Sequence, residues 1–239
     1  VGDDEAGVAL ERQLSAAKVN ADMHCDRSIA TTVKLRVISR QQQLMRIDFE
    51  TLPSRRVLAA KLAAFEEALP DADVVILSDY AKGGLAHIQR MIQSARKAGK
   101  PVLVDPKGED FQRYRGATLL TPNRGEFKQV VGAWADDATL SAKAQQMRAE
   151  LDLDALLVTR SEEGMTLFDS NGMHHEPAHA REVFDVSGAG DTVIATIAVM
   201  LASGADLPTA MKVANRAAGI VVGKLGTAVV HPAELAIPA

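Results

Sequence analysis

Phe184-Asp185-Val186-Ser187-Gly188-Ala189-Gly190-Asp191-Thr192 is the stretch whose reading decides the fold. A strand is expected at Glu182–Phe184, then a turn of small residues, then an apolar helix from about Asp191 to Leu201. Gly188 and Gly190 let the backbone turn sharply and bring a ligand close to the main chain. The amides of such a turn, with those of the first helical turn, have no intrahelical acceptor and point where an anion would sit. Asp191 puts a carboxylate at the mouth of the same nest. For simple anion binding that is unfavourable, because like charges repel. It suits a base that takes a proton from a hydroxyl attacking a phosphoryl group. The plain alternative is a glycine turn opening a helix.

Upstream, the chain alternates short apolar strands with helical patterns. Strands are expected at Val74–Leu77, Val102–Val104, Ala117–Leu120 and Ala155–Thr159. Before and between them lie helical patterns near residues 55–69, Leu85–Ala98, Arg124–Val131 and Thr139–Leu151. That order indicates an α/β fold with a doubly wound, mostly parallel sheet flanked by helices. Met165–Phe168 and Gly172–His175, joined by Asp-Ser-Asn-Gly, read as an antiparallel hairpin at one edge, and Pro208 opens a further helix. In such sheets ligands bind off the carboxyl ends of the strands. Those ends carry Asp79, Asp105-Pro106-Lys107, Asn123 to Glu126, Thr159 to Gly164 and the opening stretch.

Before this region, residues 5–18 read as a helix. Thr31–Ile38 and Leu44–Phe49 alternate apolar and polar residues, as strands with one polar face do. Lys34, Arg36 and Arg46 are either a solvated strand face or a cationic surface for a sugar phosphate. Cys25 is expected as a small buried residue in a strand, and as the only cysteine it permits no internal disulfide. A reducing cytoplasm is consistent with that. Net charge is −4 with a pI of about 5.9, against the basic balance expected of a nucleic-acid binder. No apolar run is long enough for a membrane span.

Several features invite a sharper reading than they support. His174-His175-Glu176-Pro177-Ala178-His179 suggests a metal, but Pro177 breaks the helix that histidines four apart would need. Gly223-Lys224-Leu225-Gly226-Thr227 lacks the phosphate-loop spacing and is expected to end a helix. Val193 stands where a dinucleotide-binding Gly-x-Gly-x-x-Gly would need its third glycine. Asn123 and Glu126 alone would suit an ordinary helix start with a first-turn acid, and Asp105-Pro106-Lys107 a plain turn.

Taken together, the motifs resemble those of the ribokinase/PfkB family of small-molecule kinases. Asp185 to Asp191 is similar to that family's Asp-Thr-x-Gly-Ala-Gly-Asp signature, with Val186 at its second position. Asn123-Arg124-Gly125-Glu126 resembles its Asn-x-x-Glu motif, and Val1-Gly2-Asp3-Asp4-Glu5-Ala6-Gly7 its Val-Gly-x-Asp-x-x-Gly stretch. Thr32–Val37, Gln42–Asp48, Leu77–Gly83, Asp105–Gly108 and Val222–Thr227 look most like the family's D-glycero-β-D-manno-heptose 7-phosphate kinases.

The resemblance implies a ribokinase-like fold with a small β lid, ATP and Mg²⁺ as cofactors, and phosphorylation of a sugar phosphate at its anomeric hydroxyl. In bacteria that step serves ADP-heptose and lipopolysaccharide synthesis. Asp191 becomes the base, and the amides of Gly188, Ala189 and Gly190 stabilise the transferring phosphoryl group. Glu126 and Asn123 hold Mg²⁺ through water. Asn123, Arg124, Gly125, Glu126, Thr159, Arg160, Glu162, Gly164 and Asn215 border the nucleotide. Lys107 neutralises phosphate charge, and Lys34, Arg36 and Asp185 meet the acceptor. The implied organisation is one kinase domain over residues 1–239, incomplete at its N-terminus, whose residues 22–50 supply lid and dimerisation strands. A cytoplasmic homodimer is expected, with neither nucleic-acid nor membrane partners. The alternatives are a kinase of another sugar or nucleoside, or a nucleotide-binding module made inactive by truncation.

Overall fold

Leu103, Leu119, Leu157 and Leu167 come from four successive strands, share one core cluster and are all but removed from solvent. In the computed structural model, which describes residues 1–39, 42–179 and 183–236, they sit at the centre of a six-stranded sheet. The strands are β3 (Val75–Ser78), β4 (Val102–Asp105), β5 (Leu119–Leu120), β6 (Ala155–Thr159), β7 (Met165–Asp169) and β8 (Gly172–Glu176), paired in that order. β3 to β6 are parallel, and β7 and β8 are antiparallel additions at one edge.

Apolar residues on both pleat faces explain why the strands read as continuous apolar runs. One face takes α6 (Ala189–Ala202) and α7 (Leu207–Val222). Val193, Ile194, Ile197, Met211 and Ala214 pack there against Leu103, Leu119 and Leu157. The alternate strand residues Val102, Val104, Leu120, Leu156 and Val158 are buried as well. The helices α3 (Ile88–Lys97), α4 (Arg124–Val131) and α5 (Asp137–Glu150) contact strands β4, β6 and β7. Each fully buried leucine contributes roughly 1.5–3 kcal/mol, so this core outweighs any single surface contact.

The helices start where their caps dictate. Asp136 accepts from the Thr139 amide at 2.8 Å, and Asp206 accepts from the Thr209 amide at 2.8 Å just before Pro208. Such a cap is worth about 1 kcal/mol. α7 ends at Gly223, and Gly226 adopts φ +75° in the turn that follows, as expected for a helix end. A short α8 (Pro232–Ala236), not foreseen from the pattern, comes after it.

By contacts the chain forms two units, Val1–Phe65 with Lys82–Ala86, and Glu66–Ala81 with His87–Ala239. The sheet just described lies in the second. The first holds α1 (Glu5–Ala16), the antiparallel pair β1 (Val33–Ser39) and β2 (Gln42–Phe49), and most of α2 (Arg55–Ala68). Asp4 caps α1 by accepting from the Gly7 amide, while its other oxygen accepts from the Thr31 amide, both at 2.8 Å. The register sets Val33 opposite Phe49, Leu35 opposite Ile47 and Val37 opposite Met45, as the alternation requires. Val33, Leu35, Val37, Met45 and Phe49 are exposed, so the apolar face of the hairpin is open. The join at Arg40 and Gln41 lies outside the described residues.

Two expectations are overturned. Val183 and Phe184 are not in a strand. The Phe184 and Asp185 amides donate instead to the Val222 carbonyl at the end of α7, at 2.8 and 3.3 Å. A carbonyl freed by a helix end competes here with the sheet for the same amides. Glu182 lies outside the described residues. Cys25 is exposed and in no strand, because the segment before β1 carries no regular structure to bury it.

Candidate functional site

The carboxyl ends of β3, β4 and β5 converge on one acidic rim in the second unit. β4 delivers Asp105 and, two residues on, Lys107. β5 leads into α4, whose N-cap is Asn123. The Asn123 side chain accepts from the Glu126 amide at 3.0 Å, and Glu126 Oε2 accepts from the Asn123 amide at 3.0 Å. This reciprocal capping box fixes the Glu126 carboxylate in one orientation. Its other oxygen, Oε1, accepts from Lys107 Nζ at 2.7 Å. The Glu126 side chain is 12% exposed, so both partners matter to it. The plain and the functional readings of this motif therefore coincide: the cap orients the carboxylate that faces the rim.

Electrostatics identify the cluster. Asp105 is pushed up to about 7, first by burial and then by the Glu126 and Asp191 carboxylates, with Asp79 adding to them and Lys107 opposing. Lys107 is held above its ordinary range chiefly by its bond to Glu126. Arg113 faces Asp79 and Asp105 tends to hold its proton, so Lys107 is left to offset Glu126 and Asp191, and a cation would relieve the remaining negative charge. A hard cation that keeps its waters needs only one or two carboxylates from the protein, and Glu126 with its oriented oxygens fits that role. Among the described residues no group of three or more His, Cys, Asp or Glu side chains is arranged as a direct metal cage.

The signature stretch forms a tight turn into α6. Gly188 is its N-cap in the left-handed region at φ +79°, a conformation costly for any residue with a Cβ. No side chain caps the helix. The Ala189 amide closes the turn onto the Val186 carbonyl at 3.2 Å. Gly190 is already helical and has open space where a Cβ would be, so its smallness leaves room beside the helix start rather than making the turn. Asp191 lies exposed in the first helical turn. Asp185 accepts from the Ser187 amide at 2.8 Å, and that bond holds its carboxyl below the usual range.

The turn after β6 is braced from inside. Thr159 pairs with Asn123 across an isolated parallel bridge, so the nucleotide-side candidates Asn123, Gly125, Glu126 and Thr159 are adjacent. Arg160 is buried. Its guanidinium meets Asp137 at 2.9 Å, Thr166 at 3.3 Å, and Glu163, which also pairs with Arg124. Arg160 thus points into the protein, and Arg124 packs near the Trp134 ring. Glu162 is exposed. Gly164, at φ +87°, abuts the Glu176–Ala178 backbone, and buried Asn215 donates to the Pro177 carbonyl at 2.6 Å. Gly164 and Asn215 therefore clasp the same segment after β8. Lys34 and Arg36 lie exposed on β1 in the other unit, opposite Asp48 and Arg46. His174 and His175 fall on opposite faces of β8, with His175 Nδ1 3.0 Å from Thr166 Oγ1.

Sequence reasoning missed Tyr114. Its ring is fully buried, and its hydroxyl lies 2.9 Å from Asp79 Oδ2, which no spacing of a lone tyrosine in a loop would signal.

A parallel sheet with its polar rim at the strand ends defines the class, and solved structures agree on it. The chain is similar to phosphofructokinase-2 from Escherichia coli in complex with potassium, with a TM-score of 0.80 at 17% identity, covering 98% of this chain and 78% of that one. It is similar to Arabidopsis thaliana ribokinase complexed with ribose and ATP, with a TM-score of 0.78 at 21% identity, covering 95% and 75%. The fold is ribokinase-like.

The family is narrower than the fold. The description "pfkB family carbohydrate kinase" matches residues 1–234, and the chain belongs to that family. It is 55% identical over 237 residues to the bifunctional protein HldE of Methylococcus capsulatus, covering 99% of this chain and 50% of that protein. It is 54% identical over 236 residues to the D-beta-D-heptose 7-phosphate kinase of Bordetella bronchiseptica, covering 99% and 75%. The chain spans about half the length of the bifunctional relatives it matches.

Proposed function

We propose that the protein transfers the γ-phosphoryl group of ATP to the anomeric hydroxyl of D-glycero-β-D-manno-heptose 7-phosphate, giving the 1,7-bisphosphate and ADP. The observation that carries this reading is the α6 start: a helix without a side-chain cap, with Asp191 in its first turn, beside a rim that holds Lys107 and Glu126. The choice of acceptor is supported by the heptose kinase named among the relatives, at 54% identity.

Asp191 takes the proton from the C1 hydroxyl as that oxygen attacks the γ-phosphorus. The new O–P bond forms while the bond to the β-phosphate bridging oxygen breaks, and ADP leaves with the electron pair. The amide dipoles of the α6 start at Gly188 and Gly190 face the developing charge, while the Ala189 amide is taken up in closing the turn onto the Val186 carbonyl. Lys107 turns from Glu126 toward the phosphates. Glu126, oriented by its capping box with Asn123, would hold Mg²⁺ at the rim. The chemistry such an ion would supply there is screening of the phosphate charge. Thr159, Gly164 and Asn215 shape the nucleotide's border, with Arg124, Arg160, Gly125 and Glu162 supporting it. Asp185 keeps the turn closed while the acceptor binds. The open apolar face of the β1–β2 hairpin supports pairing of two copies through these lid strands. The product fits ADP-heptose synthesis in the cytoplasm, where ATP is supplied.

The test is acceptor discrimination in the full-length protein. ADP release should be at least tenfold faster with the heptose 7-phosphate than with the unphosphorylated heptose, and phosphorus NMR should show a new anomeric phosphate. Equal rates with neutral sugars would assign the site to a different acceptor.

A further inference from the structure

Lys107 reaches the rim on a turn, not on a strand, so something must fix its backbone. The Lys107 amide donates to the Tyr114 hydroxyl at 3.1 Å, and its carbonyl lies 3.0 Å from the same hydroxyl. That hydroxyl is also 2.9 Å from Asp79 Oδ2. A phenol has one proton to give and lone pairs to accept with. It accepts from Lys107, and the carboxylate is the stronger of its two acceptors.

Asp79 is itself held. Its side chain is 3% exposed, Oδ2 lies 3.5 Å from the Arg113 guanidinium, and Oδ1 accepts from the Ala81 amide at 2.8 Å. The Tyr114 ring packs edge-to-face with Phe111, centroids 5.7 Å apart, and the Arg113 guanidinium lies over the Tyr114 ring, 5.6 Å from its centroid. Burial, first of all, keeps the phenol protonated well above its ordinary range. The hydroxyl thus ties the end of β3 to the turn after β4, two residues beyond Asp105. From that turn Lys107 Nζ meets Glu126 at 2.7 Å.

We propose that Tyr114 is a positioning residue for the rim: by holding the Lys107 backbone to Asp79, its hydroxyl sets where the Lys107 ammonium meets a bound phosphate. The proposal rests on the phosphoryl-transfer reading of the rim. Tyr114 touches no substrate and acts only through Lys107.

A double-mutant cycle in the full-length protein tests this, with Tyr114→Phe, Lys107→Ala and the double variant. Each is assayed for turnover and, by calorimetry, for the affinity of a non-hydrolysable ATP analogue. Tyr114→Phe keeps the ring and should lower turnover or nucleotide affinity roughly tenfold, the scale of one lost hydrogen bond to a buried polar group. In the Lys107→Ala background the same change should have no further effect. A purely structural tyrosine would act equally in both backgrounds, and that additivity would overturn the proposal. So would wild-type turnover and affinity in either single variant. If Tyr114→Phe fails to fold, Asp79→Ala removes the stronger acceptor of the hydroxyl and with it the tie to β3, leaves the ring, and takes its place in the cycle. The affinity arm still reports if the acceptor sugar has been assigned wrongly, so the two failures can be told apart.

Discussion

Gly164→Ala is the sharpest perturbation of the nucleotide-side turn. A Cβ at this position would sit 2.1 Å from the Glu176 carbonyl oxygen, 2.6 Å from the Ala178 nitrogen and 2.7 Å from the Pro177 carbonyl carbon. All three are backbone atoms, so no side chain can rotate away. The turn cannot slide either, because the Gly164 carbonyl accepts from the Arg160 amide at 2.8 Å and its amide donates to Ser161 at 3.0 Å. The Gly164 backbone, at φ +87° and ψ −129°, lies in a region almost confined to glycine and costs an alanine roughly 1–3 kcal/mol. The forced displacement of packed atoms costs about 1–3 kcal/mol more. Gly99→Ala is the control, since Gly99 has φ +68° and nothing within 4 Å of its added Cβ. It carries a positive-φ backbone cost without the collision. At roughly 2–4 °C per kcal/mol for a chain of this size, Gly164→Ala should melt about 2–12 °C below Gly99→Ala in differential scanning calorimetry. Melting of Gly164→Ala at or above the control would refute the close approach to the segment after β8.

Two further outcomes follow from charges at the rim and behind it. Asp105, at about 7 against 3.8 unperturbed, keeps in the folded state a proton that the unfolded chain has released between about pH 4 and 7. Its contribution to stability therefore falls as pH rises through that window, and the melting temperature of Asp105→Asn should gain on wild type from pH 5 to pH 8; a constant offset between the two would show that Asp105 is ionised throughout. Arg160→Met removes a buried guanidinium but leaves Glu163 paired to Arg124 and Asp137 in solvent, so stability should fall by about 1–3 kcal/mol in urea titration. Nucleotide affinity should change less than about threefold, given that Arg160 points inward.

The parallel sheet was legible because its strands are buried on both faces and interrupted by helices, which leaves short apolar runs between amphipathic segments. The edge hairpin was legible from its turn residues, and the rim from the polar residues that end each strand. What escaped was set by partners distant in sequence. Val183 and Phe184 have strand-like side chains, yet the Phe184 and Asp185 amides are claimed by the Val222 carbonyl, some forty residues away. Arg160 reads as a rim cation until Asp137, Glu163 and Thr166 are found around it. Tyr114 is invisible as a hub, because nothing local links it to Asp79. Asn123 and Glu126 are the opposite case: the four-residue motif contains its own geometry, and the capping box forms as the spacing allows.

Base catalysis at the α6 start is tested most directly by turnover of Asp191→Asn in the full-length protein, with ATP and heptose 7-phosphate both saturating. The amide keeps the shape of the side chain and loses its proton affinity. Turnover should fall by roughly 10²–10⁴-fold, with ATP affinity and melting temperature near wild type. Turnover within tenfold of wild type would contradict Asp191 as the base.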